Sequence, residues 1–253
     1  MTALLILKLV ALGAGAGGLG ALLGIGGGLI LVPALVLLAD LSFTHAVGTS
    51  LVCVVGTSVA SSAVLFSRER IDVSLAIELQ CFAVAGAVTA GLLAPFVPVR
   101  LLYVAFALVL LVAAWRTVPR PALPAAVPPG RRSGSAARAG ALGGGTIASL
   151  LGVGGGVVFV PLLHLVAGLD FHRSAATSVY IIGVTAGSGA LVYVARGVVD
   201  LEVVVPTMLG VLAGATAAAA NGHRLDARGL KLAFALLLVY VAGRMLWRGV
   251  AGG

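Results

Sequence analysis

The chain has 253 residues, 60% hydrophobic and only 9% charged, against about a quarter charged in soluble domains. A soluble fold of this length needs a polar surface that this composition cannot supply, so an integral membrane protein follows. The net charge of +8 sits at segment ends and in one connection. That is the pattern of cytoplasmic loops in a multi-pass protein, and it excludes a nucleic-acid surface.

The start, Met1 to Leu12 with the single Lys8, has no small-residue cleavage site after it. It reads as the beginning of the first span rather than a removed signal. Apolar segments then follow at 3–39, 45–66, 75–95 and 99–117. Residues 118–137 are rich in proline and carry Arg120, Arg131 and Arg132, which end the helix and make a loop. Four more apolar segments occupy 138–168, 174–195, 201–221 and 228–248. Ser42, Thr44, Asp72 and Asp200 stand where helix N-caps are expected.

The second set repeats the first. Gly24-Ile-Gly-Gly-Gly-Leu-Ile-Leu-Val-Pro33 returns 128 residues later as Gly152-Val-Gly-Gly-Gly-Val-Val-Phe-Val-Pro161. From Leu22 to Ser50, fifteen of 29 positions are identical at that offset without a gap. Thr49-Ser50 pairs with Thr177-Ser178, Arg68 with Arg196, Asp72 with Asp200, Gly86 with Gly214 and Arg100 with Arg228. The expected fold is an all-α polytopic membrane protein of two homologous repeats, each with four apolar segments. Membrane repeat 1–117 is joined through a cytoplasmic linker at 118–137 to membrane repeat 138–253.

The first segment of each repeat is too long for one upright helix. Residues 8–39 as continuous helix would measure roughly 48 Å, against a hydrocarbon core of about 30 Å. Each segment is therefore discontinuous or re-entrant. A tilted, broken span gives eight spans and parallel repeats; a hairpin turning at the glycines gives three full spans per repeat and inverted repeats. Lys and Arg divide 11 to 5 between the two sides in both arrangements, so charge does not choose. The arrangements differ in placing the carboxyl terminus inside or outside.

The break has a chemical meaning. Gly24, Gly26, Gly27 and Gly28, and their counterparts Gly152, Gly154, Gly155 and Gly156, each cost about 1 kcal/mol relative to alanine inside a helix. Irregular backbone at membrane depth survives only when buried in protein or lining a cavity. The half-helix after each break presents free N–H groups and a positive dipole end, which favour an anion. Pro33 and Pro161 loosen the backbone about one turn further on. Paired broken helices in a membrane chain point to a transport site. Thr49, Ser50, Thr177 and Ser178 offer hydroxyls either to that anion or to carbonyls of their own helices. His164, Glu78 and Glu202 are candidates for proton coupling as ionisable groups in spans, although interfacial placement of the glutamates and a hydrogen-bonded His164 are the favoured account.

Other motifs give nothing. Gly15-Ala-Gly17-Gly-Leu-Gly20 matches GxGxxG but lies in an apolar helix, not between a strand and a helix. Cys53 and Cys81 lack partners at metal-ligand spacing. There is no Walker motif, HExxH or Ser-His-Asp spacing, so neither an enzyme nor a resident metal or cofactor is expected. Gly86/Ala90 and Gly210/Gly214 are small-xxx-small pairs that serve either the internal core or a homodimer.

The repeated GxGGGxxxVP, followed some 16 residues later by Thr-Ser and then by the Arg…Asp loop, resembles the TauE/SafE sulfite-exporter family of membrane transporters. The resemblance covers the chain apart from the linker. It implies a multi-pass permease of the bacterial inner membrane for small anions such as sulfite, sulfonates, sulfoacetate or carboxylates. An anion channel of the same fold and a non-transporting membrane scaffold remain as alternatives.

Overall fold

The computed structural model describes residues 3–23, 26–66, 71–117, 134–221 and 227–251. Ten helices follow one another among them, with no strand: α1 (Ala3–Leu23), α2 (Gly28–Leu38), α3 (Phe43–Phe66), α4 (Val73–Leu93), α5 (Val99–Thr117), α6 (Ser135–Leu151), α7 (Gly156–Pro161), α8 (Phe171–Ala195), α9 (Leu201–Asn221) and α10 (Ala227–Ala251). A 3-10 turn, Ala94–Phe96, follows α4, and α7 runs on as a π-turn, Leu162–Val166. By length and composition seven of these, α1, α3, α4, α5, α8, α9 and α10, can cross a membrane. The chain is a multi-pass membrane protein. Four helix starts recur at the sequence offset: Gly28 and Gly156, Phe43 and Phe171, Val73 and Leu201, Val99 and Ala227.

Glycine sets how the helices pair. Between α1 and α9, Gly13 lies on the Thr207 backbone, Gly17 on Val211 and Gly210 on Val10, with no room for a Cβ. Between α4 and α6, Gly86 meets Leu142, and Gly145 meets Ala83. Lipid supplies no hydrophobic force between helices, so close backbone packing is what holds them. The small-xxx-small residues Gly86, Gly210 and Gly214 thus serve contacts inside the chain, and so do Gly17 and Gly20 of the GxGxxG string.

The same contacts give the helix directions. Gly13 with Thr207 and Gly18 with Gly214 make α1 and α9 parallel. Glu78 with Arg138 and Gly86 with Thr146 make α4 and α6 parallel. Gln80 with Thr185 and Gly91 with Arg196 do the same for α4 and α8. The matching helices α3 and α8 run in opposite directions: Gly48 lies on Tyr193, Leu51 on Gly189 and Ser58 on Gly183. Gly249 of α10 sits on Arg100 and Tyr103 at the start of α5, so that pair is antiparallel too.

One threading satisfies all of these. α1, α3, α5 and α9 run from one face to the other, and α4, α6, α8 and α10 run back. Thr117 and Gly134, which flank residues 118–133, lie on what we term the linker face. The start of α1 and the end of α10 lie on the opposite, terminal face. Gly24, Arg68 and residues 118–133, with Arg120, Arg131 and Arg132, lie outside the described residues.

Candidate functional site: two glycine turns at the centre

The chain reverses at each glycine phrase. After α6, Gly155 lies on Ala148, Phe159 on Gly144 and Leu162 on Gly140, an antiparallel register. After α1, Gly27 lies on Ala16 and against Gly20, so α2 turns back along α1. Only glycine takes this path easily, because Gly26, Gly27, Gly152, Gly154 and Gly155 all have positive φ, from 68° to 85°. α2 and α7 thus lie back along the helices that precede them.

The returning half-helices begin alike. Ile30 N and Leu31 N donate to Gly27 O at 3.1 Å, and Val158 N and Phe159 N donate to Gly155 O at 2.9 and 2.8 Å. They also end alike. Leu41 N donates to Leu35 O and Leu169 N to Leu163 O, at 3.2 and 3.1 Å. Asp40 and Gly168 take the left-handed conformation there, as the residue just past a helix end commonly does. Arg248 of α10 secures the first end, donating from Nη1 to Val36 O at 2.9 Å and lying 3.5 Å from Asp40 Oδ1.

The two turns meet in the interior. Gly28 packs directly on the Gly152 carbonyl, and Ser50 Oγ donates to that carbonyl at 2.8 Å. Gly26 and Gly154 both rest against Val54 and Ile182, which are themselves 128 residues apart. Thr57 Oγ1 donates to Val54 O at 2.8 Å and reaches Gly26 O at 3.4 Å. The turns that precede α2 and α7 are thus packed against each other and on the same pair of side chains. The sequence reading missed Val54, Ile182 and Thr57; the equal offset of Val54 and Ile182 was the available signal.

The remaining candidates are spread around this centre. Thr49, Ser50, Thr177 and Ser178 are fully buried. Ser178 Oγ donates to Ala175 O of its own helix at 2.8 Å. Thr177 Oγ1 accepts from Asp72 N at 3.0 Å, while Thr49 Oγ1 has no partner among the described residues. Pro33 lies away from the turns, in a groove of about 460 Å³ with Leu12, Leu29, Leu237, Val241 and Arg244. Pro161 ends α7 where the π-turn begins. His164 Nδ1 is 2.7 Å from Leu169 O. Glu78 pairs with Arg138 at 2.9 Å near the linker face, and Glu202 is exposed on the first turn of α9. Glu202 thus stands toward the terminal face, and Glu78 toward the linker face. No group of three His, Cys, Asp or Glu able to hold a metal is present among the described residues.

A family model described as sulfite exporter TauE/SafE matches residues 9–245. The chain belongs to the TauE/SafE sulfite exporter family. This makes it a membrane protein of a transporter family, and the match includes both glycine turns and every helix between them. Neither the curated proteins nor the solved structures compared with it gave a match.

Proposed function

We propose that this TauE/SafE member is a secondary transporter for small anions, sulfur-containing or carboxylate, bound between the two glycine turns. Residues 1–117 and 138–253 are two inverted repeats with re-entrant first segments, and the anion sits on the amino ends of α2 and α7. Gly26, Gly27, Gly28, Gly154, Gly155 and Gly156 give it close backbone approach, and the Ser50 hydroxyl lies alongside. One observation carries the reading: equivalent glycines, Gly26 and Gly154, lie on the same Val54/Ile182 pair. The turns that open α2 and α7 therefore share one support, which favours a common site at their amino ends. Such a centre at the repeat interface lets one half rock on the other to expose the anion to each side.

The linker face is cytoplasmic in this reading. It is the side that receives the eleven cations of the re-entrant arrangement, including Arg116, Arg138 and Arg173, against five on the terminal side. This puts both chain ends outside.

The test is flux in proteoliposomes with sulfite, a sulfonate and a carboxylate side by side, together with thermal-shift binding on the purified protein. Gly27→Val and Gly155→Val place branched side chains where φ is positive, 3.2 Å from the Ala16 carbonyl and 2.6 Å from the Phe159 ring respectively. Flux should fall to background while membrane insertion persists. Normal flux in both variants would remove the site from the glycine turns. Saturation and counterflow fit a transporter, whereas single-channel currents would make the same centre a pore.

A further inference from the structure

We infer that the fold carries two alternative latches, one at each face, and that the structure holds the linker-face latch closed and the terminal-face latch undone. The inference rests on the transport reading above and adds what regulates access to the glycine centre.

The closed latch joins the two halves. Asp72, the N-cap of α4, gives its backbone N–H to Thr177 Oγ1 of α8 at 3.0 Å. Arg173, one turn earlier on α8, reaches Asp72 Oδ2 at 3.5 Å. Asp72 Oδ1 meanwhile accepts from Leu75 N at 3.2 Å, which holds the start of α4 in place. Asp72 is mostly covered and Arg173 half-exposed, so the ion pair closes the outer side of the contact.

Each participant recurs at the same offset. Thr49 stands for Thr177, His45 for Arg173 and Asp200 for Asp72. Inverted packing brings them to the terminal face, where Gly48 already lies on Val198 and Val199 just before Asp200. Yet the described contacts do not join them. Thr49 Oγ1 is buried without a partner. His45 Nδ1 is 2.7 Å from Ser42 Oγ on its own segment, and Asp200 Oδ1 accepts only a local bond from Glu202 N at 2.9 Å.

The imbalance gives the exchange its energetics. A buried hydroxyl without a partner is a standing cost. Closing the terminal latch satisfies Thr49, and opening the linker latch deprives Thr177, so the two costs offset each other. Two states of similar free energy are what a ligand needs in order to shift the population. The latches are not equal, however. Arg173 carries a fixed charge and a planar fork matched to carboxylate, and His45 carries neither, so the linker-face latch is the resting one.

Cysteine cross-linking tests this without substrate. In a background with Cys53→Ala and Cys81→Ala, one protein carries Asp72→Cys with Thr177→Cys, and another Thr49→Cys with Asp200→Cys. On mild oxidation in liposomes the first pair should close in most molecules and the second in a small minority. Adding Arg173→Gln to the second protein weakens the intact linker latch and should raise its cross-linked fraction several-fold. Full closure of 49/200 at rest, no rise with Arg173→Gln, or failure of 72/177 to close would each overturn the inference. If a double-cysteine protein does not fold, maleimide labelling of Asp200→Cys alone decides: Arg173→Gln should slow it, and an unchanged rate refutes the latch. Failure here with sulfite flux intact condemns the latches alone, whereas sound latches without anion flux condemn the transport reading.

Discussion

The first glycine hairpin, α1 with α2, and the second, α6 with α7, contain nearly the same phrase in different surroundings. In the second, Gly155 is pressed on the Phe159 ring and the Gly152 carbonyl is bonded across the centre by Ser50. In the first, Gly26 is in ordinary contact with Ile182 and Val54, and its carbonyl is reached by Thr57 Oγ1 at the longer distance of 3.4 Å. Ser178, the counterpart of Ser50, spends its hydroxyl on its own helix. Repetition of sequence therefore does not impose repetition of contacts: a duplicated chain can rest in a state where its halves differ, and such a difference is what a two-state machine has to exchange.

The most decisive way to break the comparison is topological, because the outcome is all-or-none. Reporter fusions after Ala251 and within 118–133 should report opposite sides of the membrane, with the linker inside. Identical sides would restore the parallel arrangement and dissolve the equivalence of the hairpins.

Alanine substitutions at the turns come next. Gly155→Ala meets a left-handed backbone and a ring 2.6 Å from the new Cβ, whereas Gly26→Ala meets only the left-handed backbone, with Ile182 at 3.5 Å. The backbone term is about 1–2 kcal/mol for each, and overpacking adds about 1–3 kcal/mol to the former. Thermal unfolding in detergent should rank Gly155→Ala clearly below Gly26→Ala; equal losses would mean that the second turn is no tighter than the first.

The serines provide a smaller contrast. Ser50→Ala removes the hydroxyl on the Gly152 carbonyl, and an unsatisfied buried group costs about 1–3 kcal/mol. Ser178→Ala removes a bond within one helix and should change stability by less than about 0.5 kcal/mol. Matching melting shifts would contradict the asymmetry. Smallest of all, Glu78→Gln should cost at most about 1 kcal/mol, since its pair with Arg138 is partly exposed. A larger effect on flux than on melting would support Glu78 as a coupling residue.

Several of these elements were legible in the residues alone. The offset of 128 aligns four helix starts, and the described glycines of both phrases include the positive-φ residues Gly26, Gly27, Gly152, Gly154 and Gly155. Asp72 caps α4 as expected, accepting from Leu75 N. Ser42 likewise accepts from His45 N at 3.4 Å at the start of α3. The direction of the halves was not legible, because hydropathy has no polarity along the chain and the charges divided 11 to 5 either way. Direction is fixed by contacts such as Gly48 on Tyr193 and Gly13 on Thr207, which join residues far apart in sequence. The left-handed ends at Asp40 and Gly168 were hidden for a different reason: aspartate and glycine share no chemistry, only the ability to reach positive φ.

The glycine seams also bear on how the molecule is made. α1 packs on α9 and α4 on α6, so each half holds surfaces that only the other half covers. Gly13 and Thr207 are separated by nearly the whole chain. At ribosomal rates of about 5–20 residues per second, α1 waits roughly 10–40 s for its partner to emerge. During that wait the bare glycine face of α1 lies open to lipid or to other helices. The pairing of α1 with α9 is thus completed only once the second half has been synthesised.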